Sequence, residues 1–206
     1  MPKRYIIKLI AGIFFTVIII TGCALTTPQP NAKSVPVADS TTDPALNLKT
    51  PANLKLLQDR EGTSVWAMGV LVTLKLQSKD AGGTYAMFED YILPGVGTPL
   101  HVHSREEEFW YMLDGELNWY VGNKEFQAKK GDFINTPRGV PHRFKNASNK
   151  PARMFLGYSP GGFEQWFLDV GKPVRNLQEA PPKVAPDDIQ QAIKVAKKYG
   201  VEFIKQ

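Results

Sequence analysis

Two half-motifs between Gly95 and Asn146 use every histidine the chain has. The first runs Gly95, five residues, His101-Val102-His103, four residues, Glu108, six residues, Gly115. The second runs Gly131, five residues, Pro137-Arg138-Gly139, two residues, His142, three residues, Asn146. Three imidazoles and one carboxylate are a donor set for a first-row divalent metal, which takes borderline nitrogen together with hard oxygen. A chain of 206 residues with 3 histidines, all placed in one such pattern, points to a metal site rather than to scattered histidines.

These donors need elements that aim them at one point. Side chains alternate along a strand, so His101 and His103 face the same way. Glu108 has the opposite parity, and a turn within Ser104-Arg105-Glu106-Glu107 must reset the register before its carboxylate can join them. Glu108–Leu113 reads as a strand, Asp114-Gly115 as a hairpin turn, and Glu116–Val121 as the returning strand. Gly122-Asn123 and Lys129-Lys130-Gly131-Asp132 supply two further turns. Pro137-Arg138-Gly139 breaks the next strand, so that His142 arrives from a non-adjacent strand and closes the site. Val65–Leu76, Thr84–Leu93 and Ala152–Tyr158 read as further strands, with Lys79–Gly83 as a loop. Short antiparallel strands with regular turns imply an all-β sandwich or barrel.

The paired half-motifs resemble the cupin signature, and every fixed position of that signature is present. The match covers about a quarter of the chain and implies a double-stranded β-helix, the cupin jelly-roll barrel, with a metal inside. Carried over residue by residue, the implied ligands are His101, His103, Glu108 and His142. The stretch His103–Glu116 and the tail Ser159-Pro160-Gly161-Gly162-Phe163-Glu164 are similar to quercetin-dioxygenase-like members of that superfamily.

On strand parity Trp110 and Met112 share the face of Glu108, and Phe144 shares that of His142. They form either an apolar substrate wall or ordinary barrel core. Three functions fit. One is a quercetinase-type dioxygenase acting on a small enolic or aromatic substrate, in which Glu108 takes the enol proton. The second is a non-enzymatic metal- or ligand-binding module. The third is a metal-assisted isomerase or decarboxylase of a sugar or keto acid. Glu106 and Glu107 read as solvated loop charges, with Glu107 the rival carboxylate for the metal.

Lys3, Arg4 and Lys8 precede an apolar run from Leu9 to Ile20, which has the form of a signal peptide or an uncleaved anchor. Ile20-Thr21-Gly22-Cys23 resembles the lipobox of bacterial lipoproteins. The expectation is a signal over residues 1–22, a lipidated Cys23, and a domain held to the cell envelope outside the cytoplasm. Cys23 is the only cysteine, which excludes a disulfide. Removing residues 1–22 leaves 22 basic against 20 acidic side chains, a net of +2, and with it no electrostatic case for nucleic acid. Residues 23–53 are rich in Pro, Thr, Ser and Asn and read as a flexible tether spanning about 30 Å root-mean-square. Residues 54–206 form one cupin domain with short C-terminal helices. The first helix carries Phe163, Trp166, Phe167 and Val170, as a lid or a fixed plug. The second starts at Asp187-Asp188 and has Ile189, Ala192, Ile193, Ala196 and Tyr199 on one face, ending at Gly200. The expected partners are a small molecule, the membrane through the lipid anchor, and a second copy in a homodimer.

Lys3-Arg4 is not a twin-arginine pair, so export in the unfolded state and metal loading afterwards are expected. Outside the membrane, intrinsic affinity then favours copper or zinc as the single divalent metal, over iron, manganese or nickel.

Overall fold

The computed structural model describes residues 54–205. The signal segment, Cys23 and the tether lie outside the described residues. Within them the chain is built from short strands: β1 Thr63–Ala67, β2 Val70–Leu76, β3 Ala86–Ile92, β4 His101–His103, β5 Glu107–Asp114, β6 Glu116–Val121, β7 Lys124–Lys129, β8 Phe133–Thr136, β9 His142–Lys145, β10 Ala152–Ser159, β11 Lys172–Pro173 and β12 Val201–Phe203. Two helices complete it, α1 Glu164–Val170 and α2 Pro186–Ala196. The strands form a seven-stranded sheet in the order β11-β1-β2-β3-β10-β5-β8 and a five-stranded sheet in the order β12-β4-β9-β6-β7. All pairings are antiparallel, and the architecture is the double-stranded β-helix.

The core lies between the sheets and follows from alternation. Along β3, Ala86, Phe88, Asp90 and Ile92 turn inward; along β5, Glu108, Trp110 and Met112 do; along β10, Met154, Leu156 and Tyr158 do. Each large apolar side chain removed from water this way contributes roughly 1.5–3 kcal/mol relative to an exposed one.

Three sequence expectations change. Val65–Leu76 is not one strand but the hairpin β1–β2. Met68 and Gly69 turn it with φ of 49° and 88°, inside an apolar run that gave no turn signal. Asp114-Gly115 is not a hairpin turn: β5 pairs with β10 and β8 in one sheet, whereas β6 pairs with β7 and β9 in the other. The dipeptide is a corner between sheets. Gly115 has φ 71°, and a Cβ there would lie 2.8 Å from the Ala152 Cα, so only glycine fits. Third, β9 is remote from β4 in sequence but lies directly beside it, with His142 opposite His101. The Gly122-Asn123 turn does form a hairpin, joining β6 to β7.

The C-terminal region packs on its own domain. Trp166 in α1 donates its indole N–H to the Ala192 carbonyl of α2 at 3.0 Å. Glu164, buried at the start of α1, accepts from the Ser78 N–H at 2.9 Å, from the Ser78 hydroxyl, and from the Gly162 N–H at 2.6 Å. A buried carboxylate with three donors fixes its helix in place, as a plug rather than a lid. β12, which sequence reading did not find, adds an edge to β4, with Val201 opposite His103 and Phe203 opposite His101.

Candidate metal centre

The three imidazoles converge because β4 and β9 are neighbours. His101 and His103 point inward from β4, and His142 points inward from β9 at the register position facing His101. The rings of His101 and His142 sit 4.3 Å apart between centroids. Glu108 reaches the same point from the other sheet, after residues 104–106 have shifted the alternation. The Ser104 N–H is held by the Gly200 carbonyl at 2.9 Å. Glu107 is exposed while Glu108 is buried, so the register places Glu108 with the imidazoles and its rival in solvent. One ligand atom from each of His101, His103, Glu108 and His142 lies within 4.8 Å of the others, a group that could hold a metal ion.

The hydrogen bonds around this group determine its protonation. His101 Nδ1 lies 2.9 Å from the Pro99 carbonyl, and His142 Nδ1 lies 2.9 Å from the Val140 carbonyl. A carbonyl only accepts, so both Nδ1 atoms carry the proton and both Nε2 atoms present a lone pair. His103 Nδ1 lies 3.2 Å from Glu106 Oε2, which gives it the same tautomer. Three nitrogen lone pairs therefore face the centre together with a carboxylate. His142 Nε2 and His103 Nε2 lie 3.0 and 3.5 Å from Glu108 Oε2. His103 Nε2 is buried without a hydrogen-bond partner. Lone pairs crowded this closely repel unless a cation stands between them, and Nδ1 tied to an acceptor is the arrangement that prepares imidazole for a metal. The residues present fit a divalent ion. Burial, then His142 and His103, hold His101 well below the usual imidazole range, which keeps it neutral and ready to ligate.

Glu106 corrects the sequence expectation of a solvated loop charge. It is 4% exposed, and its carboxylate orients His103. Only its position in the register-shifting turn buries it, and nothing in the local pattern signals that. Tyr158 lies opposite Glu108 on β10; burial, then the Glu108 carboxylate, push its pKa well above the usual phenol range. The Phe163 ring packs edge-on against His103 at 4.7 Å.

A cavity of about 50 Å³ adjoins the group. Trp110 and Phe144 line it as expected from parity, whereas Met112 is fully buried in the core and does not line it. Val70, Val72, Phe163, Trp166, Phe167 and Phe203 make most of the remaining wall apolar. Met68, Thr98 and Phe144 line both this cavity and an open groove of about 900 Å³ on the outer side, so these three residues separate the donors from solvent.

A β-barrel of two antiparallel sheets, with three Nδ1-tethered imidazoles and one carboxylate meeting inside it, defines a jelly-roll protein with a candidate metal site. Residues 89–158 match the cupin domain. It is 33% identical over 84 residues to the uncharacterized protein MJ1618 of Methanocaldococcus jannaschii, covering 40% of this chain and 67% of that one. It is 26% identical over 129 residues to quercetin 2,3-dioxygenase of Bacillus subtilis, covering 61% of this chain and 37% of the enzyme. Across the curated relatives it matches, the chain spans between 34% and 67% of their length. The crystal structure of a predicted oxalate decarboxylase from Thermotoga maritima superposes with a TM-score of 0.48 at 22% identity, covering 52% of this chain and 99% of that one.

Proposed function

We propose that this chain is a metal-dependent dioxygenase of quercetinase type acting on a small enolic substrate. The observation that carries the reading is the set of Nε2 lone pairs and one carboxylate aimed at a single point beside an apolar, enclosed cavity. The similarity to quercetin 2,3-dioxygenase supports the reaction class. His101, His103, Glu108 and His142 would hold the ion, which when bound supplies Lewis acidity and, if redox-active, a route for electrons to dioxygen. The chain's own residues do the rest. Trp110, Phe144 and the α1 aromatics exclude water, strengthening every charge interaction within the cavity. The Glu108 carboxylate would accept the enol proton, with Tyr158 opposite it on β10. A cavity of about 50 Å³ selects a small enol over a flavonol. Copper or zinc is the proposed native metal, loaded after export into an envelope where the domain is tethered through Cys23.

The enclosed cavity also favours a second reading, a module that binds a small ligand without turnover. Oxygen uptake separates the two. The full-length protein, loaded in turn with copper, iron, manganese, nickel and zinc, is assayed over a panel of small enols and flavonols. The oxygenase reading expects uptake with a redox-active metal, none with zinc, and loss in Glu108→Gln. Ligand binding with no uptake for any metal overturns it in favour of the binding module. His142→Ala should abolish stoichiometric metal binding, and retained binding would refute the donor set.

A further inference from the structure

Outside the His/Glu group, the cavity wall contains one acid, Asp90. It sits on the inward face of β3, opposite Val72 of β2 and Met154 of β10, and is 4% exposed. Its Oδ1 is buried without a hydrogen-bond partner. Burial, then the carboxylates of Glu108 and Glu89, hold Asp90 well above the usual carboxylate range. It does not belong to the four-residue group within 4.8 Å that could hold a metal. Buried polar atoms are paired as a rule, and an unpaired one in a cavity wall is free to bond to whatever occupies the cavity, water or ligand. Trp110 Nε1, a donor, is also unpaired in the same wall, whereas the unpaired Trp119 Nε1 and Thr136 Oγ1 do not line the cavity.

We propose that Asp90 anchors the polar end of a compact ligand whose other end is held at the His/Glu group. The inference rests on the reading of that group as a metal site. Three neutral imidazoles and the Glu108 carboxylate leave a divalent ion one net positive charge, which a monoanionic head neutralises. Asp90, buried in the cavity wall with an unpaired Oδ1, bonds to a hydroxyl of the ligand. The cavity of about 50 Å³ has room for roughly three to five waters at 10–15 Å³ each, so the ligand is a compact one of a few heavy atoms. The ligand class is a small oxygen-rich monoanion with a hydroxyl remote from its metal-binding oxygen, such as the enolate of a hydroxylated keto compound.

The test uses full-length protein loaded with zinc, which does not turn the ligand over by redox chemistry. Zinc stoichiometry is measured first by calorimetry, and 3-hydroxypropionate and propionate are then titrated into the loaded protein. The native protein is expected to bind 3-hydroxypropionate about tenfold more tightly than propionate. Asp90→Leu is expected to erase that preference while leaving propionate affinity within about twofold, and the isosteric Asp90→Asn to retain part of it. Equal or absent binding of the two acids by zinc-loaded native protein, or a preference that survives in Asp90→Leu, overturns the role of Asp90. If Asp90→Leu fails to fold, Asp90→Asn decides: an unchanged preference overturns the proposal and a reduced one supports it. Failure of the native protein to bind zinc overturns the metal reading itself, and the two failures are thereby distinct.

Discussion

Replacing Glu106 by leucine tests whether the centre depends on the carboxylate behind His103. The Nδ1···Oε2 contact is 3.2 Å long between groups that are 2% and 4% exposed, so water cannot substitute for the lost acceptor. Two responses are open to the histidine. Keeping its tautomer leaves a buried N–H unsatisfied, at a cost of about 1–3 kcal/mol. Moving the proton to Nε2 gives it a partner in Glu108 Oε2, 3.5 Å away, but removes the lone pair a metal needs. The second route relieves the metal-free protein at the expense of the loaded one. Glu106→Leu should therefore weaken zinc binding about 10–100-fold, the range for loss of such outer partners. The melting temperature of the metal-free protein should change by only a few degrees. Glu106→Gln keeps an acceptor oxygen without the charge and should lose less, about 3–10-fold. Competition calorimetry against a chelator measures the affinities, with Glu107→Leu, an exposed neighbour, as control. Zinc affinity in Glu106→Leu within about twofold of native, or an equal loss in Glu107→Leu, would refute the reasoning.

Further outcomes follow from other parts of the structure. His101 has a folded-state pKa depressed below its unfolded value of about 6.5, so its contribution to stability is fully present above that pH and is lost as the pH falls below it. Thermal melts of metal-free protein should show His101→Gln to be less acid-sensitive than native between pH 7 and 5.5, and equal sensitivity would argue against the assignment. Asp90 has the opposite sign: its raised pKa makes its contribution present near pH 4 and lost as pH rises, so Asp90→Asn should gain in melting temperature over native more at pH 7 than at pH 4. Deleting residues 201–206 exposes the edge of β4 and removes Val201, 1% exposed; a fall of at least about tenfold in zinc affinity and a melting temperature lower by more than about 10 °C are expected. Mass spectrometry of protein from its native membrane should find acyl chains on an N-terminus at residue 23, absent in Cys23→Ser.

The donor set was legible because a strand's period of two and the glycine and proline breaks leave few ways to aim His101, His103, Glu108 and His142 together. Parity also placed Trp110 and Phe144 correctly on the inner face. It reports which face a residue takes, however, not which strand lies beside it. Asp114-Gly115 has the composition of a hairpin turn, and only the crowding of Gly115 against Ala152 shows it to be a corner between sheets. Met68-Gly69 turned unseen because the residues on both sides are apolar. Glu106 and Asp90 were hidden for one reason: each is an acid whose burial comes from tertiary packing, next to acids that are exposed or face outward. The three residues of β12 are too few to carry a periodic signal.

That last strand has a consequence for timing. The edge of β4, which bears two of the four donors, is completed by Val201–Phe203, at the very end of the described chain. A chain emerging from a ribosome or a translocation pore delivers His101, His103, Glu108 and His142 well before it delivers the residues that brace them. Until residues 201–203 are free to add, β4 is a three-residue strand held on one side by β9 alone. The order of synthesis thus places the tightening of the centre after residues 201–203 have emerged, later than all four donors.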